Sequence, residues 1–372
     1  MVEKKKNTTL RNGLILIGTF FLGMLVLYGI FYFFPNIIGE TVTRVERDVT
    51  VTDEGIAEAV EKVYDSVVVV NTYVNNEGYH SGTGFVYKAE DGTAYILTNN
   101  HVIESADTVY VTFTNETVVQ ADVVGSDVYS DIAVLSVDEE YIITVADIGS
   151  SEDARLGDTV FAIGAPIDNA YSWSVTRGIV SGKDRLVEVE LTSGTTTTPM
   201  VVNTIQTDAA INNGNSGGPL ANSNGEVIGI TSIKLTSETI EGMGFAIPIE
   251  TAVEYAEQLI SGDSVERPYL GIYMLDVSSI YTNPYYYRDY YETVVNAEVT
   301  NGVIVTDFEA NSPAATAGLE VGDIITKVDG HDIRSSAYLR YYLYRHNIGD
   351  EITLTILRNG RELTIDVMLI GA

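Results

Sequence analysis

A long apolar segment interrupts the otherwise polar N-terminal part of the chain. Residues 12–39 contain no charge, and residues 13–34 are largely apolar, which is long enough to cross a bilayer as one helix. The basic residues that precede this segment are Lys4, Lys5, Lys6 and Arg11. By the positive-inside rule they favour a cytoplasmic N-terminus, with the remainder of the chain outside the membrane. We therefore predict a cytoplasmic tail at 1–12, a transmembrane signal anchor at 13–38 and a linker at 39–55.

A cleaved signal peptide is the alternative interpretation of the same segment. The apolar run is longer than the core of a usual signal peptide, and residues 34–38 lack a small-x-small cleavage site. These two features favour an uncleaved anchor.

Short apolar runs separated by glycine and Asn or Asp turns continue from there as far as Ile249. A short helix is predicted at 55–63, and Ser66–Asn71 has the pattern of a buried strand. Such spacing is typical of an all-β barrel or sandwich. Helical periodicity returns at 250–260, and the Ser-Gly-Asp sequence at 261–263 then marks a domain boundary.

The pattern beyond this boundary mixes helix and strand signals and includes two groups of tyrosines. Six tyrosines lie between Tyr281 and Tyr291, in what we interpret as an insertion after the first strand of this region. The second group has i, i+3, i+4 spacing and comprises Tyr338, Tyr341 and Tyr342. This spacing predicts a single helical stripe, for which core packing is the simplest role.

Composition limits the classes of function. With 372 residues and 45% hydrophobic content, the chain is long enough for about two domains with real cores. It has no cysteine, and no histidine pair at metal-ligand spacing, so we predict neither disulfides nor a metal site nor any other cofactor. Its net charge of −31 argues against nucleic acid as a partner, because phosphate binding needs clustered Lys and Arg.

Residues 211–220 place one serine among glycines and predict a site for acyl transfer. Ser216 follows Gly214 and Asn215 and precedes two further glycines. A nucleophilic hydroxyl on a tight turn has backbone N–H groups beside it, which is how an oxyanion hole is built. We expect Gly214, Asn215 and Ser216 to form this hole, with the N–H groups of Gly214 and Ser216 as donors. Taken alone, the run is also compatible with a simple glycine turn.

A histidine and a carboxylate suited to activate this serine occur upstream. His101 closes the apolar strand pattern 94–103, whereas the other histidines lie in polar, turn-like sequence. Asp131 stands at the start of another apolar strand, where it could orient an imidazole. Each residue alone could be structural, but together with Ser216 they occur in the order His, Asp, Ser, which is that of chymotrypsin.

That order and the surrounding motifs resemble the HtrA/Deg family of chymotrypsin-like serine proteases. The matching segments are Ser81–Val86, Thr98–Val102, Ser130–Leu135, Gln206–Asn212 and Gly242–Pro248. The resemblance covers about residues 56–372 and implies an all-β chymotrypsin-like double barrel at 56–262. In the implied mechanism, Ser216 attacks the peptide carbonyl, His101 takes its proton, and Asp131 fixes the tautomer of the imidazole.

The resemblance also implies where a substrate binds. The segment Thr231, Ser232, Ile233 and Lys234 would lie beside the substrate as a short antiparallel partner. Gly242 and Phe245 would shape the pocket for the residue before the cut, which in the family favours small aliphatic side chains. The stretch 184–199, which we predict to be a flexible surface loop, corresponds to a family loop that relays PDZ or activator contacts to the active site.

Residues 263–372 resemble a PDZ domain, which has an α+β fold. Tyr269, Leu270, Gly271 and Ile272 match the carboxylate-binding loop of that domain. Backbone N–H groups of this loop could hold a C-terminal carboxylate while the peptide adds as a strand. Tyr338 and Tyr341 lie on the helix that borders the peptide groove in such a fold, and we expect one of the two rings to contact the peptide.

These features together predict a serine endopeptidase of the cell membrane, with an N-terminal transmembrane helix and with its catalytic and PDZ domains extracytoplasmic. The resemblance implies unfolded or misfolded proteins as substrates, C-terminal peptides as PDZ ligands, and a homotrimer or larger assembly. A peptide-binding chaperone or scaffold with latent or weak proteolysis is the alternative. An esterase of the α/β-hydrolase type is disfavoured, because Asn215–Gly218 does not fit Gly-x-Ser-x-Gly and the order of the triad differs.

Overall fold

The structure is a computed structural model that describes residues 6–33, 53–75, 77–164, 173–193, 196–232, 242–262 and 265–371. The chain divides into two compact units, residues 1–50 and residues 51–372. The predicted domain boundaries within the second unit stay predictions.

The described part of the first unit is a single helix, α1 (Lys6–Phe33). Within the described ranges, no helix reaches the combination of length and apolar character needed to cross a membrane. The anchor predicted at 13–38 is therefore not confirmed, and its last five residues lie outside the described part of the chain.

The second unit begins with an amphipathic helix and a closed six-stranded barrel. Helix α2 (Asp53–Tyr64) buries Ile56, Ala59 and Val63, which its helical period places on one face. The barrel has the strand order β1-β2-β3-β6-β5-β4. Its strands are β1 (Val67–Val74), β2 (Glu77–Glu90), β3 (Thr93–Asn99), β4 (Thr108–Thr112), β5 (Val118–Asp127) and β6 (Ile132–Asp138). The short helix α3 (Asn100–Ile103) follows β3 directly.

A second closed barrel follows, with the order β10-β11-β12-β9-β8-β7. Its strands are β7 (Thr159–Gly164), β8 (Ser174–Ser193), β9 (Thr196–Thr207), β10 (Pro219–Asn222), β11 (Val227–Thr231) and β12 (Gly244–Pro248). Helix α4 (Ile249–Ser261) closes the domain, which confirms the helix predicted there. One apolar core joins the two barrels: Phe85 and Leu97 of the first pack with Phe161 and Ile230 of the second.

The long hairpin of β8 and β9 corrects the prediction of a flexible loop at 184–199. Its strands pair in register from Arg185 opposite Thr204 to Ser193 opposite Thr196. Apolar and acidic residues alternate along Val187, Glu188 and Val189 and continue to Leu191, which is the period of a strand. The β-branched threonines beyond the turn also favour strand, so the prediction was wrong because it gave too much weight to their polarity.

The C-terminal part is an α+β domain with its own apolar core. Its strands are β13 (Pro268–Tyr269), β14 (Ile272–Asp276), β15 (Val303–Phe308), β16 (Ile324–Val328), β17 (His331–Asp332), β18 (Glu351–Arg358), β19 (Arg361–Met368) and β20 (Ile370–Gly371). Its helices are α5 (Val277–Thr282), α6 (Arg288–Asn296), α7 (Pro313–Ala317) and α8 (Ser336–Leu343). In the main sheet the order is β14-β15-β16-β18-β19, so β14 is an edge strand.

The tyrosine-rich insertion between β14 and β15 forms α5 and α6. Tyr287 and Tyr290 pack against a small apolar cluster that includes Ile280 and Val294. Tyr285 and Tyr286, by contrast, are 91% and 80% exposed. The insertion thus uses some of its rings for its own packing and presents others to solvent.

Arg267, just before β13, connects the C-terminal domain with the first barrel. Its Nη2 lies 2.6 Å from Oδ2 of Asp127, and its Nη1 lies 2.9 Å from Oδ1 of the same residue. Asp127 Oδ2 also accepts hydrogen bonds from the N–H and the hydroxyl of Ser130. Helix α8 in turn contacts the β8–β9 hairpin, where Arg340 Nη1 donates to the carbonyl of Pro199 at 3.1 Å.

Candidate active site

The pairing of two strands in the first barrel brings His101 beside Asp131. In the antiparallel ladder of β3 and β6, Asn99 lies opposite Ile132, so the residues after β3 meet the residues before β6. Asp131 O accepts hydrogen bonds from Asn100 N at 3.1 Å and from Asn99 Nδ2 at 2.9 Å. The positions of both predicted residues therefore follow from strand register.

The carboxylate of Asp131 is held on the imidazole of His101. Asp131 is 5% exposed, and its Oδ2 lies 2.8 Å from Nδ1 of His101. Its Oδ1 accepts the backbone N–H of His101 at 3.0 Å. Asp131 has a φ of 56°, a left-handed conformation that Asp adopts more readily than most residues. A carboxylate on Nδ1 leaves Nε2 of the imidazole as the nitrogen available for proton transfer.

Ser232 adds a third contact to this carboxylate. Its hydroxyl donates to Asp131 Oδ2 at 3.0 Å, and the residue is fully buried. We predicted a substrate-binding role for Ser232 as part of the segment after β11. The structure places its side chain on Asp131, and its backbone N–H donates to the carbonyl of Phe245 at 3.2 Å. The substrate-binding role stays a prediction.

Ser216 lies in the turn between β9 and β10, where this turn meets the first barrel. It is 3% exposed, and its carbonyl accepts the N–H of Thr83 in β2 at 2.9 Å. Gly217, with a φ of +83°, donates its N–H to Thr231 O at 2.8 Å. A side chain on Gly217 would overlap the carbonyl of Thr83 and the hydroxyl of Thr98. Thr98 lies near the end of β3, three residues before His101. These contacts place the serine turn beside the end of β3, which leads into His101.

The predicted oxyanion loop is closed by the side chain of Asn215. Its Nδ2 donates to Ala210 O at 3.0 Å, and its Oδ1 accepts Asn212 N at 3.0 Å. The backbone N–H of Asn215 donates to Asn212 O at 3.2 Å, so it is committed to the turn. Asn215 is thus placed to hold the loop in shape. The donor role of Gly214 and Ser216 stays a prediction.

Thr83 is a residue of the site to which sequence reasoning gave no role. Its hydroxyl donates to Gly214 O at 2.6 Å, and its own carbonyl accepts the hydroxyl of Thr98 at 2.7 Å. Together with the bond to Ser216 O, these contacts join the first barrel to the serine turn. The available signal was its place between two glycines in the strand motif Ser81–Val86, which allows another backbone to approach closely.

The residues predicted to bind substrate are only partly described. Thr231 ends β11 and donates its hydroxyl to Asn215 O at 2.5 Å, while Ile233 and Lys234 lie outside the described residues. Gly242 has a φ of 77°, and Phe245 is buried in β12. Ile211, which sequence reasoning left without a role, fills the space that a side chain on Gly244 would need.

The predicted carboxylate-binding loop lies at the start of the edge strand β14. Leu270 is 3% exposed, and its carbonyl accepts Ser312 Oγ at 2.9 Å and Ala314 N at 3.2 Å. Gly271 has a φ of 65° and packs against Ser312. Tyr269 pairs with Ile370, and Ile272 begins β14. An edge strand can accept an added peptide strand, because half of its backbone groups are unpaired within the sheet.

The tyrosines of α8 have three different sets of neighbours. Tyr338 lies under the guanidinium of Arg334, at 5.4 Å from its ring centroid. Tyr341 accepts a hydrogen bond from Arg345 Nη1 at 2.9 Å and faces the second barrel, whereas the ring of Tyr342 stacks on His331 at 4.7 Å. The i, i+3, i+4 spacing therefore does not give these rings one common role.

The chain matches two known protein families and is similar to named serine proteases. Residues 82–230 match the family described as trypsin-like peptidase domain, and residues 268–369 match the PDZ domain family. The chain is 43% identical over 290 residues to serine protease Do-like HtrA of Bacillus subtilis (strain 168), covering 78% of this chain but only 63% of that relative.

Two further similarities cover more of the relative. Serine protease Do-like HtrA of Lactococcus lactis subsp. cremoris (strain MG1363) is 37% identical over 357 residues, which covers 88% of this chain and 86% of that protein. The crystal structure of the serine endoprotease from Yersinia pestis superposes with a TM-score of 0.62 at 32% identity, covering 85% of this chain and 98% of that chain.

Proposed function

Because this chain belongs to the HtrA family of serine proteases, we propose that it is an endopeptidase that cleaves unfolded or damaged proteins through Ser216, His101 and Asp131. The observation that carries this proposal is the buried Asp131 carboxylate at 2.8 Å from His101 Nδ1, with the serine turn beside the end of β3, which leads into His101. A carboxylate, an imidazole and a hydroxyl in this order supply the base and the nucleophile of acyl transfer.

The reaction proceeds in two halves. Ser216 Oγ attacks the peptide carbonyl while His101 takes its proton, and the same proton then passes to the leaving amine. A water molecule, deprotonated by His101, next attacks the acyl-enzyme and releases the second product. Asp131 keeps the imidazole in the required tautomer and stabilises its charged form, and Ser232 supports Asp131 from the side opposite to solvent.

The negative charge that develops on the carbonyl oxygen needs donors that are already in place. We propose the backbone N–H groups of Gly214 and Ser216 for this role, as the sequence predicts, whereas that of Asn215 donates to Asn212 O within the turn. The hydroxyl of Thr83 holds Gly214 in place by donating a hydrogen bond to the carbonyl of Gly214. Donors held in this way stabilise the transition state without reorganising at the moment of reaction.

We further propose that the PDZ domain recruits substrates by their C-termini. The loop Tyr269–Ile272 precedes an edge strand, which supports binding of a peptide as an added strand. This part of the proposal does not depend on catalysis.

The direct test is cleavage of reduced casein by the full-length protein and by its Ser216→Ala variant, with mass spectrometry of the products. We expect cleavage by the intact protein alone. Labelling of Ser216 by a fluorophosphonate, abolished in His101→Ala, would show in the same preparation that the serine is activated. A folded protein that neither cleaves casein nor reacts with the probe would contradict the peptidase proposal.

A peptide-binding chaperone is the second candidate, favoured by the exposed edge of β14. In that case the Ser216→Ala variant should prevent the aggregation of an unfolded protein as well as the unaltered chain does. Deletion of residues 265–371 should then remove this protection.

The location and the assembly are separate proposals that rest on sequence and family. The charge pattern before residue 13 supports an anchored enzyme with extracytoplasmic catalytic and PDZ domains, although the described part of α1 does not reach the character of a membrane span. Membership in the family supports a homotrimer or larger assembly. Fractionation of cells with protease protection tests the first, and sedimentation analysis of the purified protein tests the second.

A further inference from the structure

A cavity of about 400 Å³ lies between the peptidase domain and the PDZ domain. Its walls come from the turn before Asp131, from β9, from α4 and from the segment that ends α8. It includes neither the triad nor the loop Tyr269–Ile272. The volume is more than ten times the roughly 30 Å³ share of one water molecule in the liquid, so this space can hold an organic molecule.

Arg267 on the wall of this cavity is a buried cation that carries an unpaired Nε in the described part of the chain. Its side chain is 10% exposed, and its Nη atoms bind Asp127. Its guanidinium lies between three rings, at 4.8 Å from Tyr129, 5.5 Å from Tyr255 and 5.3 Å from Tyr344. Its Nε has no hydrogen-bond partner among the residues that the structure describes. Buried donors in folded proteins are nearly always paired, so an acceptor is expected here.

Asn203 supplies a second unpaired atom on the same wall. Its Oδ1 is buried without a partner, and the residue lines the cavity. Across the described ranges only four buried side-chain atoms lack a partner, and the other two, on Asn99 and Asn100, adjoin His101. Two of these four atoms belong to residues that line this cavity, although Asn203 also borders a second cavity beside Ser151 and Glu250.

Arg267 is already paired with Asp127, so the cation that remains for an anion is the second arginine of the cavity. Arg345 lines it and forms no ion pair with any described residue; its Nη1 binds only the hydroxyl of Tyr341. Glu254 is the acidic side chain on the wall, whereas His346 faces Asp329 at 3.2 Å. Burial raises the pKa of the Tyr255 and Tyr344 phenols, against the opposing effect of Arg267, so both hydroxyls remain protonated donors at neutral pH.

We propose that this cavity binds a carboxylate whose oxygens accept from Arg267 Nε and Arg345 and whose flat or apolar body lies between the tyrosine rings. Charge-assisted hydrogen bonds to guanidinium and contact with aromatic faces are the interactions that such a molecule needs. The carboxylate can belong to a free organic acid or to a peptide. The proposal is independent of the proposed peptidase activity.

Binding at this position has a structural consequence for both domains. Arg267 and Tyr344 belong to the C-terminal part, and Tyr129 belongs to the turn that leads to Asp131. A ligand that contacts all of them stabilises the junction, because it binds only when the two walls are together. We therefore expect the melting temperature to rise with carboxylate concentration.

The first experiment titrates benzoate into the full-length Ser216→Ala protein, followed by calorimetry and by ligand NMR. Benzamide is the neutral probe of the same shape, and sodium chloride controls for ionic strength. We expect one saturable benzoate site per chain with a Kd on the order of millimolar, and binding of benzamide weaker by about tenfold or more.

Variants locate the site. Arg345→Gln changes an exposed residue that the fold does not depend on, and we expect it to weaken benzoate binding by about tenfold. Arg361→Gln, an exposed arginine on β19, is the matched control and should leave binding unchanged. A short peptide with a free C-terminus and its amidated form, each in competition with benzoate, distinguish a peptide carboxylate from a free acid.

Three results of these experiments would contradict the proposal. Absence of saturable benzoate binding would mean that the cavity holds only water. Equal binding of benzoate and benzamide, or unchanged binding in Arg345→Gln, would mean that the guanidinium groups do not select a carboxylate.

Discussion

The two halves of the active site are held in different ways. In the first barrel, strand register places His101 and Asp131. The N–H of Asn100 and the side-chain amide of Asn99 hold the backbone carbonyl of Asp131, and the N–H of His101 holds its carboxylate. In the second barrel, Ser216 lies on a turn whose shape depends on one amide side chain and on contacts across to β2. The acid-base pair is thus built into a sheet, whereas the oxyanion loop is built from separate contacts and can be perturbed one contact at a time.

The largest loss of activity is expected from a substitution in the pair of His101 and Asp131. Asp131→Asn keeps the shape and tolerates the left-handed φ, but it presents an amide to His101 and favours the wrong imidazole tautomer. We expect kcat for peptide cleavage to fall by about 10⁴-fold with little loss of stability. Steady-state kinetics and thermal unfolding of the same preparation measure the two effects.

Asp122→Asn is the control for this substitution, because it removes an exposed carboxylate from the neighbouring strand β5. It should leave kcat unchanged. A comparable loss of activity in both variants would mean that overall charge, and not the contact with His101, determines the result.

The second-largest loss of activity is expected from a substitution in the turn that carries Ser216. Asn215→Asp can still accept from Asn212 N, but its carboxylate would face Ala210 O, to which the amide now donates. The loop should then move and misplace an oxyanion donor, a change that lowers kcat by about 10²–10³-fold. We expect KM to change little, because the substrate strand binds elsewhere.

Asn213→Asp introduces the same charge at an exposed neighbour in the same turn. If both variants lose activity equally, the charge alone is responsible and the hydrogen bonds of Asn215 do not position the loop.

The sequence predicts the His101–Asp131 pair better than the contacts that hold the serine turn. His101 follows one apolar strand and Asp131 precedes another, and local periodicity is enough to place both at strand ends. The contact of Ser232 with Asp131 joins residues 101 positions apart, and only the closure of both barrels creates it. The roles of Thr83 and Asn215 likewise depend on which backbone approaches their side chains, which no local pattern specifies.

The hairpin and the tyrosines show two further limits. The stretch 184–199 was predicted to be a loop because its polar composition hid an alternation that becomes a strand only when β9 pairs with it. The stripe on α8 was predicted to have one role, although Arg345 and His331 give two of its rings different neighbours. In the first case composition was given more weight than a correct local period, and in the second the period was correct but tertiary contacts set the role of each ring.

A smaller effect is expected from the contact that joins the two halves. Thr83→Val keeps the volume of the side chain but removes the hydrogen bond from its hydroxyl to Gly214 O. We expect kcat to fall by about tenfold, which corresponds to about 1.4 kcal/mol and lies within the range for one hydrogen bond. Affinity for a peptidyl boronate, which mimics the tetrahedral state, should fall in parallel.

The matched control is Thr72→Val in β1, which removes a buried hydroxyl that donates to His80 O away from the site. This variant should lose a similar amount of stability but retain kcat. Equal kcat in Thr83→Val and Thr72→Val would contradict a role of Thr83 in holding the serine turn.

The smallest effect concerns the outer side of the second barrel and depends on pH. Burial of Glu250 alone would raise its pKa, but hydrogen bonds from the hydroxyl and N–H of Ser151 outweigh this effect and lower it. A carboxyl whose pKa is lower in the folded state stabilises the fold above its unfolded pKa, and this contribution is lost as the pH falls through the folded value. Ser151→Ala should therefore reduce the free energy of unfolding by about 1 kcal/mol or less at pH 7, since Glu250 is largely exposed to screening solvent. Urea unfolding at pH 7 and near pH 3 measures the difference in stability between the variant and the unaltered protein, which should shrink in acid. A loss of stability that is the same at both pH values would mean that the hydroxyl of Ser151 acts through packing rather than through the charge of Glu250.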